Sequence, residues 1–347
     1  MPSTTAATTL LNGPALAAPL PELEYIIAEI GMVAGGGAPH LVAGYGFAGK
    51  TLACQAMALA LAAHRSVWGA YRAPREMRVL HVDHEQGERL TRRRYQRLAL
   101  AMGVELAELG DALAVAAMPP ICLTPEHIDT WRELMTGRDV MIVDSLRAAT
   151  AGADENDSGI RSALDMLGAL SDASGCRAIV IHHARKPNAD DKGGRYAIRG
   201  SSAIFDACDS VHVFSAEQGE PILVEQVKAR SHGEPTDPIA LVIEDVERDG
   251  APKAGVRIAV HGAELVTQRR EERESLAKST QATRDGRRLV DAVSAHPGIG
   301  VEDLKATTAL SGQRYKAALV AVSDVIEVRR ETVGRSTTNR HYRKGAP

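Results

Sequence analysis

Aromatic residues are scarce in this chain: three Phe, two Trp and seven Tyr among 347 residues, 3% in all. That excludes a platform of stacked rings for unpaired bases, though not contact with a nucleic-acid backbone. The core must then be built from Ala, Val, Leu and Ile. The cysteines, Cys54, Cys122, Cys176 and Cys208, form no C-x-x-C pair, so neither a zinc site nor a disulfide framework is signalled. They read as small buried apolar residues in a reducing compartment. No apolar run is long enough to span a bilayer. The first twenty residues are Thr/Ala/Pro-rich with no basic segment, the composition of a disordered tail rather than a secretory signal. A cytoplasmic protein with no membrane contact is expected.

Net charge is only −3, but it is unevenly spread. Arg269 to Pro347 carries 16 Lys+Arg against 10 Asp+Glu, about +6, which leaves about −9 for the rest. An acidic body with a basic tail domain points to an anionic partner for the tail; the alternative is a basic surface that is merely solvated.

What is present is concentrated at one point. Gly44-Tyr45-Gly46-Phe47-Ala48-Gly49-Lys50-Thr51 reads G-x-x-x-x-G-K-T. The apolar run Leu41-Val42-Ala43 leads in, and a small-residue helix from Leu52 to Ala63 leads out. A buried strand delivers the chain, glycines let backbone N–H groups wrap phosphates, and the helix N-terminus adds partial positive charge. Gly44 to Leu52 is the expected ATP-binding segment, with Lys50 reaching the β/γ-phosphates and the Thr51 hydroxyl holding Mg²⁺. Val140-Met141-Ile142-Val143-Asp144 is an apolar strand ending on a carboxylate, the Walker B pattern, so Asp144 is the second residue expected at Mg²⁺.

Other candidates close strands in the same way. Met77 to Val82 ends in Asp83-His84-Glu85; a glutamate at a strand's carboxyl end can polarise water, with Asp83 and Glu88 as rivals to Glu85. His182 and His183 close the strand Ala178–Ile181, where one can touch a γ-phosphate or serve only as a core histidine. Lys228 and Arg230 follow the strand Ile222–Val227, as fingers for transition-state charge, in trans, or as guards of an edge strand. Two loops, Arg147–Ser158 and Arg185–Arg199, follow strand ends; the second carries Lys186, Lys192, Arg195 and Arg199, cations suited to a phosphate backbone if the loop is more than a plain surface connection.

Between these motifs the pattern alternates strand and helix. Helices are expected over 21–32, 89–102, 124–135 and 160–174, and further strands at 210–214, 222–228 and 239–244. Alternation of this kind means a parallel sheet covered on both faces. The expected organisation is a tail over 1–20, an ATPase domain over 21–268, a linker over 269–284 of a composition that also allows helix, and a small domain over 285–345. That last segment reads as three helices and a hairpin, a winged helix-turn-helix. Gln313, Arg314 and Lys316 open the recognition helix, and Arg335, Arg340 and Arg343 lie on the wing, suited to duplex DNA or to a protein contact.

The order of motifs resembles the RecA-like ATPases, most closely the branch of the RepA-type hexameric plasmid helicases. It is carried by the P-loop, Glu85, Asp144-Ser145-Leu146-Arg147, Ile179 to Lys186 with its His-His pair, Ile198-Arg199-Gly200-Ser201-Ser202-Ala203, and Lys228-Ala229-Arg230. The resemblance covers about residues 38–246. It implies an α/β RecA-like P-loop domain with a mostly parallel sheet, assembled as a homo-oligomeric ring, usually a hexamer, with ATP between subunits. It also implies that Glu85 activates water, that His182 or His183 senses the γ-phosphate, and that Lys228 and Arg230 act on a neighbour's nucleotide. The loops after Asp144 and His183 would face a channel holding single-stranded DNA. Two features depart from that pattern: the basic C-terminal domain, and Asp154, Glu155 and Asp157 in the first loop, which argue against tight DNA gripping there. The expected function is a DNA-acting helicase or translocase in replication of a mobile element. The alternatives are an ATP-gated regulatory or loader protein that binds DNA, and a recombination mediator, neither with unwinding activity.

Overall fold

The structure is a computed structural model that describes residues 12–20, 22–150, 158–183, 202–217, 219–333 and 336–345. It separates into two compact units, Met1–Leu265 and Val266–Pro347.

In the first unit a one-turn helix α1 (Gly13–Ala17), capped by Asn12 accepting from the Ala15 amide at 3.1 Å, is exposed along its length. The helix expected over 21–32 is instead β1 (Tyr25–Ile27), a 3₁₀ turn and β2 (Met32–Val33), paired antiparallel. Gly31, at φ +64°, ends the turn where a helix would have to continue.

The main sheet is built from apolar runs, as strands buried on both faces require. These are β3 (His40–Gly44), β4 (Val79–Asp83), β5 (Leu113–Ala117), β6 (Val140–Asp144), β7 (Arg177–His183), β8 (Ser210–Ser215), β9 (Ile222–Ala229), β10 (Ile239–Arg248) and β11 (Ala251–Gly262). Their order is β11-β10-β9-β8-β3-β7-β6-β4-β5. From β8 to β5 all neighbours are parallel; β9, β10 and β11 extend the sheet antiparallel. The sequence reading passes over β5 and β11.

The connections are α2 (Lys50–Ala62), α3 (Glu88–Met102), α4 (Ile128–Met135), α5 (Leu146–Ala149), α6 (Ser158–Ser174) and α7 (Ser202–Ala207). α4 begins later than expected because Pro125–His127 forms a 3₁₀ turn. The period of two along each strand separates two cores. Val42, Ile142, Ile179 and Ile181 pack with α2 and α3, and Leu41, Ala43, Met141 and Val143 with α4, α6 and α7. α2 is Ala/Leu/Met-rich, the best helix-forming composition, and Met57, Leu59 and Leu61 are fully buried, each contributing about 1.5–3 kcal/mol.

In the second unit α8 (Glu264–Ala295) is one continuous helix, so the segment 269–284 expected as a linker is regular helix, exposed from residue 267 to 281. With β12 (Ile299–Gly300), α9 (Val301–Thr308), α10 (Gly312–Ala321), β13 (Ile326–Val333) and β14 (Ser336–Arg343), the end of α8 encloses a third core. Leu289, Val293, Leu304, Leu310, Tyr315, Ala318 and Ile326 form it. The small sheet has order β12-β14-β13, antiparallel throughout.

Candidate nucleotide-binding site

Four adjacent strands end together. Gly44 pairs with His183, Asp144 with Ile181, and Asp83 with Asp144, so the carboxyl ends of β3, β7, β6 and β4 form one rim. In parallel sheets that rim is where ligands bind.

The loop from Gly44 to Lys50 rises from this rim. A Cβ on Gly44 would stand 2.3 Å from the Phe214 carbonyl oxygen of β8, so no side chain fits there. Gly49 has φ +74° as the N-cap of α2, a left-handed conformation that glycine adopts without strain. Phe47 is fully exposed and Ala48 is buried. Lys50 is buried, and its Nζ donates to Gly44 O at 2.6 Å and Tyr45 O at 2.9 Å. Burial brings the Lys50 pKa down to about 8, against the pull of the Asp144 and Glu85 carboxylates.

Asp144 is completely buried, and neither carboxylate oxygen has a hydrogen-bond partner among the described residues. Burial pushes its pKa up to about 6; the Thr51 hydroxyl beside it acts in the opposite sense. A buried carboxylate with both oxygens unspent, next to a hydroxyl at the first turn of a P-loop helix, is a donor set that suits Mg²⁺.

Asp83 and Glu85 differ in what their oxygens do. Asp83 Oδ1 accepts from the Glu85 and Gln86 amides, both at 2.9 Å, and Oδ2 from the Thr91 hydroxyl. Its carboxylate is spent on folding the turn into α3. Glu85 faces the rim: Oε1 accepts from the Ser145 hydroxyl, and His183 Nε2 lies 3.1 Å from Oε1 and 3.2 Å from Oε2. The His183 contact, then Ser145, hold the Glu85 pKa below the usual carboxylate value. Glu88, the other rival, is exposed in the first turn of α3. His182 is buried, its Nδ1 has no partner among the described residues, and burial lowers its pKa to about 4, so it is neutral near pH 7.

The structure thus gathers Lys50, Thr51, Glu85, Asp144, His182 and His183. It does not bring Lys228 and Arg230 to them. Lys228 pairs with Val211 at the start of β8, at the opposite end of the sheet from the P-loop. There Lys228 Nζ donates to Phe205 O at 2.5 Å, and the Arg230 guanidinium to Asp206 O at 2.6 Å, at the C-terminus of α7. Within one chain these two cations cannot serve its own P-loop.

Two members of the site escape the sequence reading. Ser145, fully buried, holds Glu85; its position next to the Walker carboxylate was the available signal. Arg94 donates to Gln86 and lies near enough to Asp144 and Asp83 for their charge to be felt; among five arginines between residues 89 and 97, nothing in the sequence singles it out.

In the second unit, Gln313 and Lys316 are exposed on α10. Arg314 is exposed beside them, and its guanidinium also donates to the buried Asp285 of α8 at 2.8 and 2.7 Å. Arg340 likewise donates to Gly298 O at 2.7 Å. Lys186, Lys192, Arg195, Arg199 and Arg335 lie outside the described residues, as do Ala151–Asp157 and the whole Arg185–Arg199 loop.

The profile of AAA_25, described as an AAA domain, matches residues 3–189, more than half of the chain. The chain belongs to the AAA_25 family. An AAA domain of this kind is a P-loop ATPase module, which implies nucleotide and usually Mg²⁺ binding, and its α/β sheet here is large and mostly parallel. A search of curated proteins finds no match. No helix among the described residues is long and apolar enough to cross a membrane.

Proposed function

We propose that this AAA_25 protein is a DNA-acting ATP hydrolase of the RepA type: a ring-forming helicase or translocase, recruited by a C-terminal winged helix, in replication of a mobile element. The observation that carries the reading is the convergence of Lys50, Thr51, Asp144, Glu85 and His183 on one rim of aligned strand ends. The P-loop amides and Lys50 would hold the phosphates, with Mg²⁺ held by Thr51 and Asp144. When bound, that ion supplies charge neutralisation at the β- and γ-oxygens. Glu85, kept ionised by His183 and Ser145, takes the proton of the attacking water. Any phosphate that recruits His183 weakens its hold on Glu85, which suits a γ-phosphate sensor.

Lys228 and Arg230 support the ring reading by their position, since fingers at the far end of the sheet can act only on another copy's nucleotide. The helix–helix–hairpin arrangement of the second unit, with Gln313 and Lys316 exposed at the start of α10, supports the winged-helix reading. Steady-state ATPase is measured with no DNA, single-stranded DNA and duplex, followed by fork unwinding. Strong single-strand stimulation and ATP-dependent unwinding are expected, and Lys50→Ala abolishes turnover while duplex binding survives. Slow turnover indifferent to DNA, with a footprint at one site, would instead establish the ATP-gated regulator, a reading favoured by the separate compact C-terminal unit.

A further inference from the structure

α3 starts three residues after Glu85 and carries Arg89, Arg92, Arg93, Arg94 and Arg97. Its inner face is ordinary: Thr91, Tyr95, Leu98 and Ala99 are buried. Two arginines are occupied, Arg94 with Gln86 and Arg97 with Asp245 at 2.7 Å and Gly255 O at 3.1 Å. The outer face is not. Arg89, Arg92, Arg93 and Gln96 are exposed along it. Arg92 has a loose ion pair with Glu88 at 3.7 Å, and Arg89 and Arg93 have no acidic partner among the described residues. Leu90 is 43% exposed on one flank, and on the other Arg92 and Gln96 border an apolar pocket with Leu100, Leu106, Leu109 and Val115, while Arg89 and Arg93 stand exposed between the two flanks. A protein–protein interface would centre on apolar anchors; this face offers guanidinium forks, which match phosphate oxygens. Arg89 and Arg93 are one turn apart, about 6 Å along the helix axis, so their guanidinium groups stand on the same side of α3.

The same helix is fastened to the catalytic turn. Asp83 bonds the Glu85 and Gln86 amides and the Thr91 hydroxyl, and Arg94 bonds Gln86. A load on α3 therefore reaches Glu85 through a short, rigid set of bonds.

We infer that the outer face of α3 is a nucleic-acid phosphate-backbone site on the ATPase unit itself, through which bound nucleic acid is felt at Glu85. The inference rests on the reading of the chain as a DNA-acting ATPase and adds a contact surface to it. The test compares the full-length protein with Arg89→Glu/Arg93→Glu, and with Arg89→Gln/Arg93→Gln as the milder pair. Binding of a single-stranded oligonucleotide is followed by anisotropy across a salt series, alongside ATPase with and without DNA and mass in solution. The expected result is a fall of about 1.4 in the slope of log affinity on log salt, two contacts at about 0.7 each. DNA stimulation is lost while basal turnover is kept. If the wild type is stimulated and both variants match it in slope and stimulation, the α3 site is refuted and the ATPase reading stands. An unchanged slope with an altered mass makes this face a subunit contact and also refutes it. A wild type that binds no nucleic acid removes both readings.

Discussion

Asp144 and Lys50 share a buried setting that moves their pKa values toward each other, up to about 6 and down to about 8. The signs are separate. Asp144 is protonated below about 6 and then binds cation poorly; Lys50 is uncharged above about 8 and then holds phosphate poorly. Nucleotide affinity of the free protein should therefore peak between these values and fall on both sides, as read from Mg²⁺–nucleotide binding across pH 5 to 9; a flat profile would contradict the assignment. Because the folded state binds the Asp144 proton more tightly than the unfolded chain does, stability from this group is lost as pH rises from about 4 to about 6. Glu85 makes a different prediction. Glu85→Gln should lower kcat by about 10²–10⁴ and leave nucleotide affinity within a few-fold; loss of binding instead would make Glu85 part of the nucleotide cradle. What distinguishes Glu85 from Asp83 is invisible in one dimension: the two carboxylates are two residues apart, and only the turn geometry shows that both Asp83 oxygens are engaged.

At the scale of elements, the site depends on how closely β3 and β8 lie. Gly44→Ala would drive a methyl group onto the Phe214 carbonyl. It should cost about 1–3 kcal/mol, typical of overpacking, as measured by denaturant unfolding. A variant as stable as the parent would show that the two strands can part there. The elements legible in the sequence were those whose local pattern and tertiary role agree. β3, β6 and β7 are apolar runs ending in polar residues, and α2 follows the P-loop as a helix must. β5, with the sequence LAVAA, is short and rich in Ala, and only pairing with β4 makes it a strand. β11 does alternate at Val256, Ile258 and Val260, but Pro252 and Gly255 mask the pattern; its register against β10 settles it. Residues 21–32 have helical spacing, yet the apolar Ile26, Ile27, Ile30 and Met32 are buried by two short strands and a turn. Arg314 shows the same limit in the site: its fitness for a base edge is chemical, whereas its place beside Asp285 is a fact of packing.

For the whole molecule, two units with separate cores predict two unfolding transitions. Saturating Mg²⁺–nucleotide should raise only the transition of Met1–Leu265. At 100 times Kd the gain is about 2.7 kcal/mol, or roughly 5–10 °C at about 2–4 °C per kcal/mol for a unit of this size. Calorimetry with and without nucleotide measures it, and a single shifting transition would mean the units unfold as one. The helix that carries the P-loop has a further bearing on the molecule. From Ala53 to Ala62 every residue of α2 is buried, so it has no outer surface on which variation could accumulate. A saturation library across the chain, scored for folding, should find the exposed stretch of α8 over 267–281 permissive to charge, and no such permissive side anywhere from Ala53 to Ala62 of α2. Divergence in this protein is then confined to its surroundings, while the stem of the nucleotide loop, the buried Gln55 apart, is held to small and apolar residues by contacts from every direction.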